Sequence, residues 1–241
     1  KKDFHFVSTI DTGSGDIPGR EYLVYTEYCH DMGQQSQNVY IKSKFEAEKQ
    51  VLAYREKGLN TFIHRAANMT FHSETGQFQE NIEDNLFYSM LKVFIKVGFW
   101  SEKMNRMEFD LSFIDQAAKA MVKLVTTKFL KNETYHICSP HVLNWEDMAL
   151  LLKEIGIEVP RVNPEEAGDY LAKFAGNPEY EKIIEKLKLY SWIWEEKPAT
   201  LTVPKVDRTV MLLKKLGFQW PKVARQHIGK MVEYCRKVGF I

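Results

Sequence analysis

The sequence predicts an α/β protein in which a parallel sheet with crossover helices occupies residues 1–160 and a smaller helical part follows. Three observations predict it. An apolar run ending in hydroxyls, "FHFVSTI" (4–10), and a second buried run, "LNTFIHRAANM" (59–69), are separated by a loop and a long helical pattern. A helix between two buried strands marks a crossover between parallel neighbours, because antiparallel strands need only a tight turn. Beyond Pro160 only helical periodicity remains.

Each element follows from local signals. Residues 4–10 read as a buried strand. Asp11–Gln37 holds four of the thirteen glycines and Pro18 without a long period, so it reads as mostly loop. Asn38–Lys57 reads as a helix with Gly58 just past its end. After the strand 59–69, residues 81–100 form an amphipathic helix with an apolar stripe of Leu86, Met90, Leu91, Phe94 and Val97. A short strand (107–114) precedes "DQAAKAMVKLV", for which Asp115 is the expected N-cap. A strand at 133–139 and a helix at 144–155, ended by Gly156, complete the first part. Four helical patterns follow: "EEAGDYLAKFAG", "EYEKIIEKLKLYSWIW", "VDRTVMLLKKLG" and "RQHIGKMVEYCRKVG".

Composition bounds the function. The chain has 241 residues, 44% hydrophobic, with 33 basic and 32 acidic side chains for a formal charge of +1. A nucleic-acid partner calls for a clustered basic surface, so none is expected. Cys29, Cys138 and Cys235 are far apart and odd in number, which fits neither a disulfide framework nor a zinc site and makes a reducing cytoplasm the default. No apolar run approaches ~20 residues, so no membrane span is expected, and Lys1-Lys2-Asp3 opens no signal peptide. His5 and His64 lie in strands, and His72, His136, His141 and His227 show no metal-ligand spacing, so no metal is expected.

Two features bear on chemistry. The string "GSGDIPG" (13–19) follows the first strand, yet Pro18 stands where a third glycine should be and no helix pattern follows, so it reads as a loop. Tyr40 and Lys44 in "NVYIKSKFEAEK" share a helix face, being four apart. An ammonium one turn away favours a phenolate, and such a phenol can exchange a proton with a reacting carbonyl. Ser8-Thr9, at the C-terminal end of the preceding strand, would add a second donor where open α/β sheets form their ligand crevice. The spacing alone fits an exposed tyrosine beside a lysine better. Tyr88 and Lys92 repeat it without a hydroxyl-ended strand before them and read as structural. Tyr190, Trp192 and Trp194 either pack the helical part or line an acyl pocket.

Taken in order, "FHFVST", "NVYIKSKFEAEK", "TFIHRAANM" and "FDLSFIDQAAKAMVKL" resemble the latter half of an extended short-chain dehydrogenase/reductase. The resemblance is closer to the thioester reductase domains that end non-ribosomal peptide synthetases, and to related carboxylic acid and fatty acyl reductases. The terminal "LLKKLGFQWPKVARQHIGKMVEYCRKVGFI" is similar to the end of those domains, so nearly the whole chain is covered. The resemblance implies a Rossmann-like doubly wound parallel sheet, truncated to 1–160 with substrate-domain insertions, and a helical substrate-binding part at 161–241. It implies catalytic roles for Thr9, Tyr40 and Lys44, with Thr9 and Tyr40 bonding the thioester carbonyl oxygen and Lys44 holding the nicotinamide ribose. Ala66, Ala67 and Asn68 would lie beside the nicotinamide, with Arg65 behind them. The implied cofactor is NADPH, with NADH possible. The implied substrate is an acyl or peptidyl chain on phosphopantetheine, presented by a carrier protein beside upstream synthetase modules and released as aldehyde or alcohol.

Such domains begin with a βαβ unit carrying a glycine-rich turn, which this sequence does not show. The first strand is therefore expected to leave an open sheet edge, and the chain to be the C-terminal portion of its domain. A nucleotide-sugar epimerase or dehydratase of the same fold, and a non-catalytic carrier-docking module, are the alternatives.

Overall fold

The computed structural model describes residues 2–98, 108–159, 161–163, 166–174, 176–178, 180, 181 and 200–241. In chain order the main elements are β1 (Phe4–Thr9), β2 (Tyr22–Tyr25), α1 (Val39–Glu56), β3 (Thr61–Ala66), α2 (Leu86–Val97), α3 (Ile114–Val125), β4 (Thr134–Ile137), α4 (Trp145–Glu154), α5 (Ala167–Ala172), β5 (Leu201–Pro204), α6 (Asp207–Lys215) and α7 (Arg225–Lys237). Two compact units interleave along the chain. The first comprises Lys1–Met69, Asp110–His141 and Lys197–Pro221, and the second Thr70–Phe109, Val142–Glu196 and Lys222–Ile241. Both draw residues from either side of position 160.

The first unit is built on a three-stranded parallel sheet in the order β1-β3-β4. Phe4 lies opposite Thr61 and Thr9 opposite Ala66, which aligns the C-terminal ends of β1 and β3. Every residue of β4 and all of β3 but Ala66 are buried, as a strand covered on both faces requires. On one face α1 packs across β1 and β3. On the other, Phe62, Tyr135 and Ile137 meet Ala117, Ala120 and Leu124 of α3, Leu213 of α6, and Phe218 and Trp220. Among the described residues β1 pairs with β3 alone.

Two expectations for this unit need correction. Residues 22–25 and 201–204 are strands, paired in parallel with Tyr22 opposite Leu201. Each is four residues long, and β2 alternates exposed Tyr22 and Val24 with buried Leu23 and Tyr25. So short an alternation inside a glycine-rich stretch carries little signal, and its partner lies far along the chain. The Thr200 hydroxyl helps join the two segments, accepting from Ile17 N at 2.9 Å and donating to Arg20 O at 2.6 Å. Asp115 is also not the cap of α3: the helix begins at Ile114 and Asp115 sits in its first turn, where its charge suits the positive helix end.

The second unit is helical, with α4 packed on α7. Asn144 and Asp147 start α4 with a capping box, each side chain accepting the other's backbone N–H at 2.9 Å. Residues 82–84 form a 3-10 turn rather than the expected start of a longer helix, and Asn85 caps α2. Trp145 is buried against Phe87, Phe94 and Phe109, with ring centroids 6.1, 4.4 and 4.9 Å away. Tyr88 is wholly buried, and Lys92 pairs with Glu83 at 3.1 Å. The second Tyr-x-x-x-Lys copy is therefore a core tyrosine beside a surface ion pair. Tyr190, Trp192 and Trp194 lie outside the described residues. No helix among the described residues is long and apolar enough to cross a membrane.

Candidate active site

Asn38 starts α1, its side-chain oxygen accepting the N–H groups of Tyr40 at 2.9 Å and Ile41 at 3.2 Å. That cap places Tyr40 in the first turn, and the helix carries Tyr40, Lys44 and Glu48 along one stripe at intervals of four. Tyr40 is 54% exposed, and its hydroxyl has no hydrogen-bond partner among the described residues. Lys44 Nζ lies 5.9 Å from the Tyr40 ring centre and 5.2 Å from that of Phe6. It donates to Val7 O at 3.0 Å, which fixes the ammonium against β1.

Thr9 closes β1 and is buried. Its hydroxyl donates to Asp11 Oδ2 at 3.2 Å and accepts the Asp11 N–H at 3.2 Å, capping a 3-10 turn over Ile10–Gly13. To donate to a substrate carbonyl, Thr9 Oγ1 must turn from Asp11. Ser8 Oγ, buried beside it, has no partner among the described residues. After the turn the chain runs to β2, so no helix N-terminus meets the glycines and the loop reading of "GSGDIPG" holds. Gly13 is required for another reason: a Cβ there would sit 2.4 Å from the Tyr25 ring.

Glu48 and Arg65 escaped the sequence reading as a pair. Both side chains are buried, at 2% and 0% exposure, and Arg65 reaches the carboxylate through Nη2 at 2.6 Å and Nε at 3.0 and 3.1 Å. Arg65 stacks over Tyr25 at 4.8 Å and donates to His30 Nδ1 at 3.2 Å. His136 turns Nδ1–H to Lys205 O at 2.7 Å and faces Arg65 with Nε2 at 3.5 Å. Burial pushes both His30 and His136 down to about 4, with the Arg65 charge acting in the same direction, so both are neutral beside it. Thr12 Oγ1 lies 3.0 Å from Thr9 O, 2.9 Å from Tyr25 Oη and 3.2 Å from Glu48 Oε1. This network ties the Thr9 turn, the Tyr40 helix and the Arg65 strand into one piece. The available signal was positional: Glu48 continues the Tyr40–Lys44 stripe.

Arg65 leads directly into Ala66, Ala67 and Asn68. Ala67 N donates to Ile137 O at 3.1 Å, and Asn68 Nδ2 donates to Asp110 Oδ1 at 3.2 Å. Asn68 Oδ1 has no partner among the described residues. Small side chains at 66 and 67, an open amide oxygen, an exposed phenol and an ammonium are groups that fit a nicotinamide riboside. Lys44 and Tyr40 thus stand together on α1, Thr9 bonds within its own turn, and Asn68 bonds to Asp110.

A parallel sheet whose hydroxyl-ended strand is followed by a Tyr-x-x-x-Lys helix and a second parallel strand defines the short-chain dehydrogenase/reductase class. The chain belongs to the NAD-binding family described as male sterility protein, whose model matches residues 1–121. It is similar to one of the subunits of the linear gramicidin synthase of Brevibacillus parabrevis, 26% identical over 243 residues that cover 99% of this chain and 5% of that protein. It is also similar to a thiolation-reductase di-domain from an archaeal non-ribosomal peptide synthetase, at 26% identity and a TM-score of 0.82, over 99% of this chain and 49% of that one. The Aureusimine biosynthetic cluster reductase domain shares the fold at 23% identity and a TM-score of 0.78, over 98% of this chain and 59% of that one. A UDP-glucuronic acid 4-epimerase from Bacillus cereus is more distant, at 14% identity and a TM-score of 0.59, over 100% of this chain and 63% of that one. The chain spans about half the length of the archaeal di-domain.

Proposed function

We propose that this chain carries the catalytic helix and strand ends of a nicotinamide-dependent thioester reductase that releases an acyl or peptidyl chain from a carrier protein. The observation that carries the reading is Tyr40, an open phenol one turn from a fixed ammonium, on a helix locked to the strand that ends in Thr9. The greater likeness to synthetase reductase domains than to the epimerase supports a thioester over a nucleotide sugar.

The cofactor, for which we propose NADPH, supplies hydride to the carbonyl carbon. Tyr40 Oη donates its proton toward the carbonyl oxygen as negative charge grows there. Thr9 Oγ1 exchanges Asp11 for that same oxygen and gives the second hydrogen bond. Lys44 holds the ribose hydroxyls and keeps its charge beside the Tyr40 ring. Ala66 and Ala67 admit the nicotinamide face closely, and Asn68 bonds its edge. Breakage of the carbon–sulfur bond then frees the pantetheine thiol and an aldehyde, the product being that aldehyde or the alcohol formed from it in a second round. The proposed setting is the cytoplasm, beside synthetase modules that supply the acylated carrier.

Oxidation of NADPH followed in absorbance, with the N-terminal glycine-rich unit restored to the chain and an acylated carrier as substrate, tests this. Tyr40→Phe and Thr9→Val are each expected to lower kcat by about 10²–10³, the usual worth of one donor at a developing oxyanion. Full activity in Tyr40→Phe rejects the assignment.

A further inference from the structure

Asp110 is an acid in the short stretch "FDLSF", and the chemistry above leaves it without a task. It is 9% exposed. Its carboxylate is surrounded by donors. Asn68 Nδ2 reaches Oδ1 at 3.2 Å, Ser112 Oγ reaches Oδ2 at 2.6 Å, and the backbone N–H of Asn68 also bonds to it. Ser112 Oγ in turn accepts the N–H of Ser139 at 2.8 Å, which holds the serine hydrogen toward the acid. Burial raises the Asp110 carboxyl, and the bonds from Ser112 and Asn68 act the other way.

Both Asp110 oxygens are acceptors here, Oδ1 from Asn68 and Oδ2 from Ser112, whereas an asparagine amide has a donor end and an acceptor end. Contact with Asp110 therefore allows one orientation of the Asn68 amide. Nδ2 points to Asp110, and Oδ1 is the end left open. We propose that Asp110 is a positioning residue that sets Asn68 to present a hydrogen-bond acceptor, and so selects the N–H of the nicotinamide carboxamide. The proposal rests on the reading above that places Asn68 beside the nicotinamide.

Two measurements test it. The first needs no cofactor. In the chain labelled with ¹⁵N-asparagine, with the Asn68 side-chain signal assigned by its loss in Asn68→Ala, the amide protons should exchange slowly. In the near-isosteric Asp110→Asn they should exchange at least about tenfold faster, since one charge-assisted hydrogen bond is lost. Equal exchange in the two proteins, or free exchange in the wild type, overturns the proposal. Should Asp110→Asn fail to fold, Ser112→Ala removes the competing donor instead, and Asn68 exchange should then stay slow or slow further; faster exchange overturns it.

The second measurement compares NADPH with its reduced 3-acetylpyridine analogue, which replaces the carboxamide N–H donor with a methyl group. The wild type should favour NADPH in kcat/KM by about tenfold, the worth of one hydrogen bond. That preference should fall to near unity in Asp110→Asn and in Asn68→Ala, and Asp110→Asn should remove nothing more in the Asn68→Ala background. A merely structural role would lower both cofactors equally and leave the preference intact. Turnover with an unchanged preference in Asp110→Asn overturns the proposal and leaves the reductase reading standing. No turnover with either cofactor overturns the reductase reading, and the exchange measurement then decides the Asp110–Asn68 contact alone.

Discussion

Arg65→Met removes the cation from a site where water cannot take its place. Arg65 and Glu48 are 0% and 2% exposed, and three nitrogen–oxygen contacts of 2.6–3.1 Å join them. With methionine at 65, the Glu48 carboxylate keeps a hydrogen bond from Thr12 at 3.2 Å but loses its counter-charge. Breaking a buried pair on one side costs about 3–5 kcal/mol, because the remaining charge stays buried without compensation. For a chain of this size that corresponds to a fall of roughly 6–20 °C in melting temperature. The double variant Glu48→Gln/Arg65→Met has no orphaned charge, so it should recover more than half of the loss. Urea denaturation followed by circular dichroism measures all three variants. A loss under about 1 kcal/mol in Arg65→Met, or a double variant no better than the single one, would refute the claim that this pair locks α1 to β3.

Acid should weaken the fold through its histidines. Burial holds His64 and His136 down at about 4 from an ordinary 6.5, so the unfolded chain binds more protons between those values. Stability is then fully present above pH 6.5 and is lost as pH falls toward 4, at about 1 kcal/mol per pH unit for each histidine. A urea midpoint that stays constant from pH 7 to pH 4.5 would contradict this. Gly13→Ala forces a methyl group into the Tyr25 ring and should cost about 1–3 kcal/mol, read from the same urea curves. Tyr88→Phe removes a buried hydroxyl that has no partner among the described residues, so stability should hold or rise by up to about 1 kcal/mol with activity unchanged.

Much of the first unit was legible because its signals are local. The run "FHFVST", the Asn38 cap and the buried "TFIHRA" each declare their element within a few residues, and their order implies parallel strands. The β2–β5 ribbon was not legible, since four-residue strands from opposite ends of the chain gain stability only from each other. The site was half legible. Tyr40, Lys44 and Thr9 stand out by residue type and spacing. Glu48 acquires its role only from Arg65 beneath it, and Asp110 only from Asn68 bonded to it. Both depend on contacts between segments distant in sequence, which periodicity cannot report.

Tyr40→Phe, assayed for NADPH oxidation with an acylated carrier and checked for an unchanged urea midpoint, tests the central claim most directly. Loss of about 10²–10³ in kcat with stability intact is the predicted result. Wild-type turnover without the Tyr40 hydroxyl would contradict it.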